Sequence, residues 1–510
     1  VAILPFLIAG FLLINPIVEW GFRRFDIQTE KLQFWVMVTS GTAWSIALVY
    51  FLLSPTSTSS EAQLGDNGLL PRLEFSHDWI SAALILIAVG LIFAAVLKQQ
   101  ERPVSNAWLA GLGGACVIGL ETNSAYSLGL IWTMVEGLLF YSSYRNQKFT
   151  STPQQFLPIV LLRLSAPASL ILYSLTLNEP NISVFSAGAG TGAGLILISA
   201  GLLGFWGWFL LPPDKANNQD GSFPGTSENW IPAMLGVLII LRGGILLDPG
   251  SVQLYIPLIL AIALVLTVLL GLVLGQSPRL WFLCCSLLIS VSAIISGVEN
   301  ALSLGMAMIL PGLQLWWISK QPKIPLLPLI FGILGLLPVP FLPSWTGVST
   351  FSAGLPGILV GVSYGMLLGS ILIALLKNWQ SSADTFSTHP LLGIIGAAAI
   401  LLSQAVVSLR LDLIDSSRDI FGRSVLIWIS FLGFIPILIL GNQLPLKKTR
   451  RFVDIGSRFR DGVEKFLTTS FHFLDRLVEF ISQIFEGQGG LIWTLLIGLL
   501  LISLIRLRGG

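Results

Sequence analysis

Apolar stretches long enough to cross about 30 Å of hydrocarbon, each needing roughly 17–25 residues, recur from one end of this chain to the other. Sixteen are legible, at residues 2–18, 34–53, 79–97, 104–120, 125–144, 157–177, 186–211, 230–247, 252–275, 279–297, 300–318, 325–342, 352–376, 391–409, 421–441 and 490–505. Lipid offers no water to backbone N–H and C=O groups, so a chain built this way reads as an all-α polytopic membrane protein. The divisions at 120/125 and 297/300 rest on short polar tips, Glu121 with Asn123 and Glu299 with Asn300. The first stretch lacks a basic leading region and a small-residue cleavage site, which makes it a span and not a signal peptide.

Orientation follows from where lysine and arginine fall, because loops kept in the cytoplasm carry the excess. With the N-terminus outside, the cytoplasmic loops before span fifteen hold twelve basic residues, and the tract from Lys447 to Arg476 adds eight on the same side. Six lie on the other side, and Arg163 and Arg242 sit within spans. A single miscounted span would scramble this asymmetry. The expected location is the cytoplasmic membrane of a prokaryote.

Between spans fifteen and sixteen, Phe452, Ile455, Phe459, Val463, Phe466, Leu474, Leu477, Ile481 and Ile484 follow a largely three-and-four spacing, with Arg458, Asp461, Glu464, Lys465, Asp475 and Glu479 on the other faces. This pattern predicts an amphipathic helix of about thirty residues, ~45–50 Å long, able to lie on lipid or across neighbouring spans. Gly456 and Gly462 are places where it can bend.

Composition excludes several classes of function. Charged residues make up 11% of the chain and apolar ones 54%, against about 25% charged in ordinary globular proteins. A formal net charge of +2 argues against nucleic-acid binding, which needs an extended basic face. The three histidines, His77, His389 and His472, lie in polar or interfacial stretches, so a bis-histidine haem is excluded. Cys116, Cys284 and Cys285 lack the paired spacing of a metal site, and no glycine-rich phosphate loop is present. No metal or cofactor is expected on this chain.

Charge inside hydrocarbon costs about 2.5–3.5 kcal/mol per group on insertion scales, so the groups that tolerate it mark function or a compensating partner. Glu136 lies mid-span, Arg163 about two turns into span six, and Arg242 in the second half of span eight. Glu136 reads either as the neutralising partner of one of these arginines or as a proton-relay carboxylate; the arginines cannot relay protons, because guanidinium stays protonated. Two spans break their helical pattern near one end, at Pro212-Pro213 and at Pro338 and Pro340. Prolines at matched places five spans apart suggest interrupted helices in two internal repeats.

In these features the chain resembles the antiporter-like subunits of the membrane arm of respiratory complex I, NADH–quinone oxidoreductase, and their relatives in membrane-bound hydrogenases and multisubunit cation/proton antiporters. Glu136 in Ile131-Trp-Thr-Met-Val-Glu136 matches the family's glutamate in the second helix of the first repeat. Pro213-Asp214, and Ile231-Pro-Ala-Met through Arg242-Gly-Gly-Ile, resemble its broken helix and the helix that follows; Gln276-Ser-Pro-Arg279 resembles its Asp-x-Lys-Arg turn, and Gly335 to Pro340 its second break. The resemblance implies two inverted five-helix repeats and a lateral helix. The expected divisions are 1–103 for helices one to three, 104–248 and 249–378 for the repeats, 379–446 for helices fourteen and fifteen, 447–486 for the lateral helix and 487–510 for the last span.

The family pattern also implies a lysine near Leu202, a histidine near Gly236, a His and Lys pair near Ala307 and Pro311, and a charged group near Gly347, none of which this sequence has. Spans nine to thirteen hold no charge away from their ends; their polar groups are chiefly Ser290, Ser292, Ser296, Gln314 and Ser370. The expected function is therefore an antiporter-like subunit, degenerate in its own proton path, within a redox-driven complex. Its partners would be other membrane-arm subunits, a peripheral redox arm and the lipid bilayer. The alternatives are a stand-alone lipid or polysaccharide transporter and a purely structural sealing subunit.

Overall fold

The computed structural model describes residues 3–25, 29–54, 61–64, 73–76, 78–98, 103–122, 124–145, 153–176, 190–209, 226–247, 255–274, 278–319, 326–338, 344–379, 390–414 and 420–443. The chain divides into two compact units, Val1–Lys148 with Leu162–Pro445 and Phe149–Leu161 with Leu446–Gly510. The contacts reported below lie within the first. The predicted lateral helix, the last span, and Pro212, Pro213 and Pro340 lie outside the described residues.

The helices in chain order are α1 Leu4–Arg24, α2 Thr29–Leu53, α3 Trp79–Lys98, α4 Pro103–Glu121, α5 Ala125–Arg145, α6 Pro153–Thr176, α7 Gly190–Phe209 and α8 Thr226–Leu246. They continue as α9 Tyr255–Leu274, α10 Pro278–Ser296, α11 Val298–Ser319, α12 Leu326–Leu336, α13 Ser344–Gly347, a 3-10 turn Val348–Ser352, α14 Gly354–Trp379, α15 Pro390–Ile414 and α16 Ile420–Gln443. Proline opens α4, α6, α10 and α15, at the one helical position where its missing N–H costs nothing. Both narrow divisions hold: α4 stops at Glu121 and α5 begins at Ala125, and Gly297, at φ 90°, separates α10 from α11. That left-handed backbone is one that glycine adopts without the Cβ clash other residues meet. The chain is a multi-pass membrane protein, and five of its described helices, within α1, α2, α3, α14 and α15, meet both the length and the apolarity needed to span a bilayer.

One departure from an all-helical chain is present. β1 Glu61–Leu64 pairs antiparallel with β2 Leu73–Ser76 in the 54–78 connection, with Leu64 opposite Leu73. This connection lies between spans, where strand edges can be hydrated, so the rule against open sheets in lipid does not bind it. Phe75 forms a backbone bridge to Thr122 and packs edge-on against Phe6 at 5.1 Å, which seats the hairpin on the ends of α1 and α4.

α3 is apolar all round and buried nearly all round, packed against α2, α4, α8 and α15, as expected of a helix without a polar face. Elsewhere the packing relies on small residues, which let backbones approach where lipid offers no hydrophobic drive between helices. On α14, a Cβ added at Gly365 would lie 1.8 Å from the Ser430 carbonyl oxygen of α16, and one at Gly433 of α16 would lie 2.1 Å from the Val362 carbonyl.

Span twelve is helical from Leu326 to Leu336 among the described residues. α12 stops at Leu336, Pro338 follows it, and the short α13 and the 3-10 turn precede α14. Carbonyls released at a helix end need donors. Tyr364 of α14 donates its hydroxyl to the Leu336 oxygen, and Ser344 donates to the Leu337 oxygen at 2.8 Å.

Candidate functional site

Glu136 and Arg163 occupy corresponding depths, each the twelfth or eleventh residue of its helix, α5 or α6. Arg163 Nε lies 2.7 Å from Glu136 Oε2, and both side chains are almost wholly removed from solvent. The Trp132 indole, one turn earlier on α5 and fully buried, donates to Glu136 Oε1 at 3.4 Å. Gly204 of α7 makes room for that indole: a Cβ there would lie 2.4 Å from the ring. The carboxylate is thus held by a guanidinium and an indole inside α5, α6 and α7. Of the two partners open to Glu136, the fold selects Arg163. Such a pair stays neutral as a unit in low dielectric, and a proton can be taken up by Glu136 only as its hold on the guanidinium loosens.

Arg242 belongs to a different group. Its Nη1 donates to the Thr122 carbonyl oxygen, and its Nη2 donates to Ser81 Oγ at 3.2 Å and lies 3.5 Å from Asp78 Oδ2. Asp78 caps the start of α3, accepting the Ser81 backbone N–H on Oδ1 at 2.7 Å. Tyr50 of α2 donates to Glu121 Oε1 at 2.7 Å, and Glu121 lies within electrostatic reach of Arg242. Next to this group Arg410 of α15 donates to the carbonyl oxygens of Phe51 and Ser54 at the end of α2, with its guanidinium 5.0 Å from the centre of the Phe51 ring.

The sequence signal for this group was partial. Arg242 stands out as an intramembrane charge, whereas Asp78 reads as part of an exposed connection and Glu121 as a helix-end tip, yet both are about 1% exposed. Glu136 is therefore not the sole buried carboxylate: Glu19 of α1 is also buried, bridged to Arg23 one turn later. Each of these acids sits beside a helix terminus, where a sequence gives no means of telling a solvated end from one covered by a neighbouring helix.

In the second half, Ser290 and Ser370 donate to carbonyls of their own helices, Ser286 and Leu367, while other polar side chains bond across elements. Ser296 and Thr350 share a hydrogen bond of 2.7 Å, Ser349 donates to Asn300 Oδ1 at 2.9 Å, and the Gly347 backbone N–H donates to Ser303 at 3.0 Å. At Gly347 itself a Cβ would lie 2.4 Å from Leu304. Among the described residues no group of three or more His, Cys, Asp or Glu side chains is arranged to hold a metal ion.

No family model matches the chain, and no curated protein matches its sequence. Solved structures do match its fold. A chain of the Mrp complex from Dietzia sp. superposes with a TM-score of 0.59 at 11% identity, covering 100% of this chain and 63% of that one. This protein thus spans less than two thirds of that chain's length. A chain of the membrane-bound sulfane sulfur reductase, an archaeal respiratory membrane complex, matches with a TM-score of 0.60 at 14% identity over 98% of this chain and 99% of the other. A chain of respiratory complex I from Thermus thermophilus matches with a TM-score of 0.55 at 14% identity, covering 84% of this chain and 99% of that one. The protein shares their fold.

Proposed function

We propose that this chain is an antiporter-like membrane-arm subunit of a redox-driven, proton-translocating complex of the NADH–quinone oxidoreductase or hydrogenase type, with its own proton path degenerate. The observation that carries the reading is a fold likeness running the length of the chain to a subunit of an archaeal respiratory membrane complex. Other membrane subunits are the expected partners, with redox chemistry on a peripheral arm.

Degeneracy is supported by how the expected charge positions are filled. α7 and α8 approach through glycine: a Cβ at Gly201 would lie 2.7 Å from the Gly236 carbonyl oxygen, and one at Gly194 or Gly243 would lie 2.8 Å from the other's carbonyl oxygen. This close approach lies beside Leu202 and at Gly236, where the resemblance expects a lysine and a histidine, and leaves little room there between the two backbones. Leu304 likewise fills the space at Gly347 where a charged side chain is expected. Two inverted repeats, α4–α8 and α9–α14, are the proposed frame, with breaks at Pro212-Pro213 and Pro338-Pro340, the N-terminus outside and a prokaryotic cytoplasmic membrane as the location. Within this frame, among the described residues, Glu136 and Arg163 form an ionisable pair at mid-span.

Mild-detergent purification of the tagged chain from its own cells, with its companions identified by mass spectrometry, tests the reading. Stoichiometric recovery of iron–sulfur subunits and further multi-span subunits is expected. Recovery of the chain alone, with uptake or flipping of a lipid-linked substrate in vesicles, would replace the proposal with a stand-alone transporter. If the complex assembles, Glu136→Gln separates conduction from sealing: slower proton pumping supports a residual relay, and unchanged pumping leaves a sealing subunit.

A further inference from the structure

α15 carries three polar side chains that lie sealed inside the bundle, Ser403, Gln404 and Ser408, each at or below 1% exposure. Ser403 is satisfied, donating to the Ala399 carbonyl oxygen at 2.8 Å and accepting the Trp44 indole N–H at 3.0 Å. The other two are not: Gln404 Oε1 and Ser408 Oγ meet no hydrogen-bond partner among the described residues. We propose that these two oxygens hold a buried water molecule, which bridges them on the side of α15 that meets α11. The inference goes beyond the assignment above and holds whichever partners the chain assembles with.

The first support is the geometry of the glutamine. Its Nε2 donates to the Met306 carbonyl oxygen of α11 at 3.5 Å, a long and therefore weak bond. Turning the amide over would set oxygen against oxygen at Met306 and strand the NH2 group instead, so one polar end of the side chain stays unmet in either orientation. An amide oxygen removed from solvent is costly to leave without a donor. At 0% exposure, bulk water does not reach this one.

The second support is Ser408. It lies one turn beyond Gln404, and side chains four apart on a helix share a face, with Cβ atoms about 5–6 Å apart. Two acceptors on that spacing can flank one water bonded to both, since each bond takes about 2.8 Å. The serine hydroxyl can turn onto the Gln404 carbonyl oxygen of its own helix, as Ser403 does onto Ala399, and still accept from the water. The Gln404 side-chain oxygen has no such internal choice. The chemistry of the pair selects the occupant: two neutral oxygens satisfy both hydrogens of a water, whereas a cation this far from solvent needs more oxygens or a countercharge. A lipid headgroup does not reach a side chain of 0% exposure. Water of this kind is part of the packing and needs no open channel. It strengthens the joint between α15 and α11 where the direct bond is long.

Electron cryomicroscopy of the full chain in lipid nanodiscs, at a resolution that shows enclosed water elsewhere in the helical interior, tests the proposal. Expected is a solvent peak within hydrogen-bonding distance of both Gln404 Oε1 and Ser408 Oγ, lost in Gln404→Leu, whose side chain is of similar size and has no acceptor. The parent map decides the matter by itself if that variant does not fold. A map with other enclosed waters and none here, an Oε1 bonded to a protein donor, or a peak that persists in Gln404→Leu would overturn the proposal. A peak ringed by further oxygens at metal-ligand distances would overturn it too, by making this a cation site.

Discussion

Removing the charge of Glu136 while keeping its shape isolates what the Glu136–Arg163 pair contributes to the fold. In Glu136→Gln the amide oxygen can still accept from Arg163, so the loss is the compensation of a guanidinium whose side chain is 8% exposed. Breaking a buried pair costs about 3–5 kcal/mol in soluble proteins, and an arginine at the centre of a span costs about 2.5–3.5 kcal/mol on insertion scales. The two ranges overlap near 3 kcal/mol, or roughly a hundredfold in the folded-to-unfolded ratio. Arg163→Gln should cost a similar amount, by leaving a carboxylate among α5, α6 and α7 with the Trp132 indole. The double variant replaces an ion pair with two amides able to bond each other, so its cost should fall well short of the sum, with a coupling of about 2 kcal/mol or more. Reversible unfolding in mixed micelles, followed as the fraction of denaturing detergent rises, measures all four proteins. A Glu136→Gln variant within about 0.5 kcal/mol of the parent, or a double variant whose cost is additive, would refute the claim that the pair is a structural unit.

Gly365→Ala forces a Cβ against the Ser430 carbonyl oxygen. Separation of α14 from α16 should lower stability by about 1–3 kcal/mol, visible as a lower melting temperature; an unchanged one would show that the two helices do not cross this closely. In intact cells an impermeant thiol reagent should label Ser60→Cys and not Lys465→Cys, and the reverse result would invert the orientation drawn from the basic residues. The lateral segment should hold subunits together through its apolar stripe. Phe459→Asp with Leu477→Asp would then split the assembly on a native gel, because unpaired charge in a packed face is costly; an intact complex would show that the stripe only rests on lipid.

Hydropathy alone determined that this chain is a helical membrane protein and where its helices run. Fifteen of the sixteen expected spans have a helix beginning and ending within several residues of the expected bounds, and the sixteenth lies outside the described residues. The reason is local: each span must satisfy its own backbone, so its length and apolarity are written in consecutive residues. The division at Gly297 and the end of α12 ahead of Pro338 are legible for the same reason, since each depends on one residue's own geometry. Glu136, Arg163 and Arg242 also stand out, because a charge inside an apolar run is conspicuous wherever the run folds. Their partners do not. Arg242 reaches Asp78 across 164 residues of sequence, and nothing periodic links the two. Whether Glu136 meets Arg163 or Arg242, whether Asp78 and Glu121 are solvated or enclosed, and whether Gly347 leaves room for a side chain all depend on how separate helices pack. Those choices belong to the tertiary structure, because burial at a helix end is decided by the neighbour that covers it.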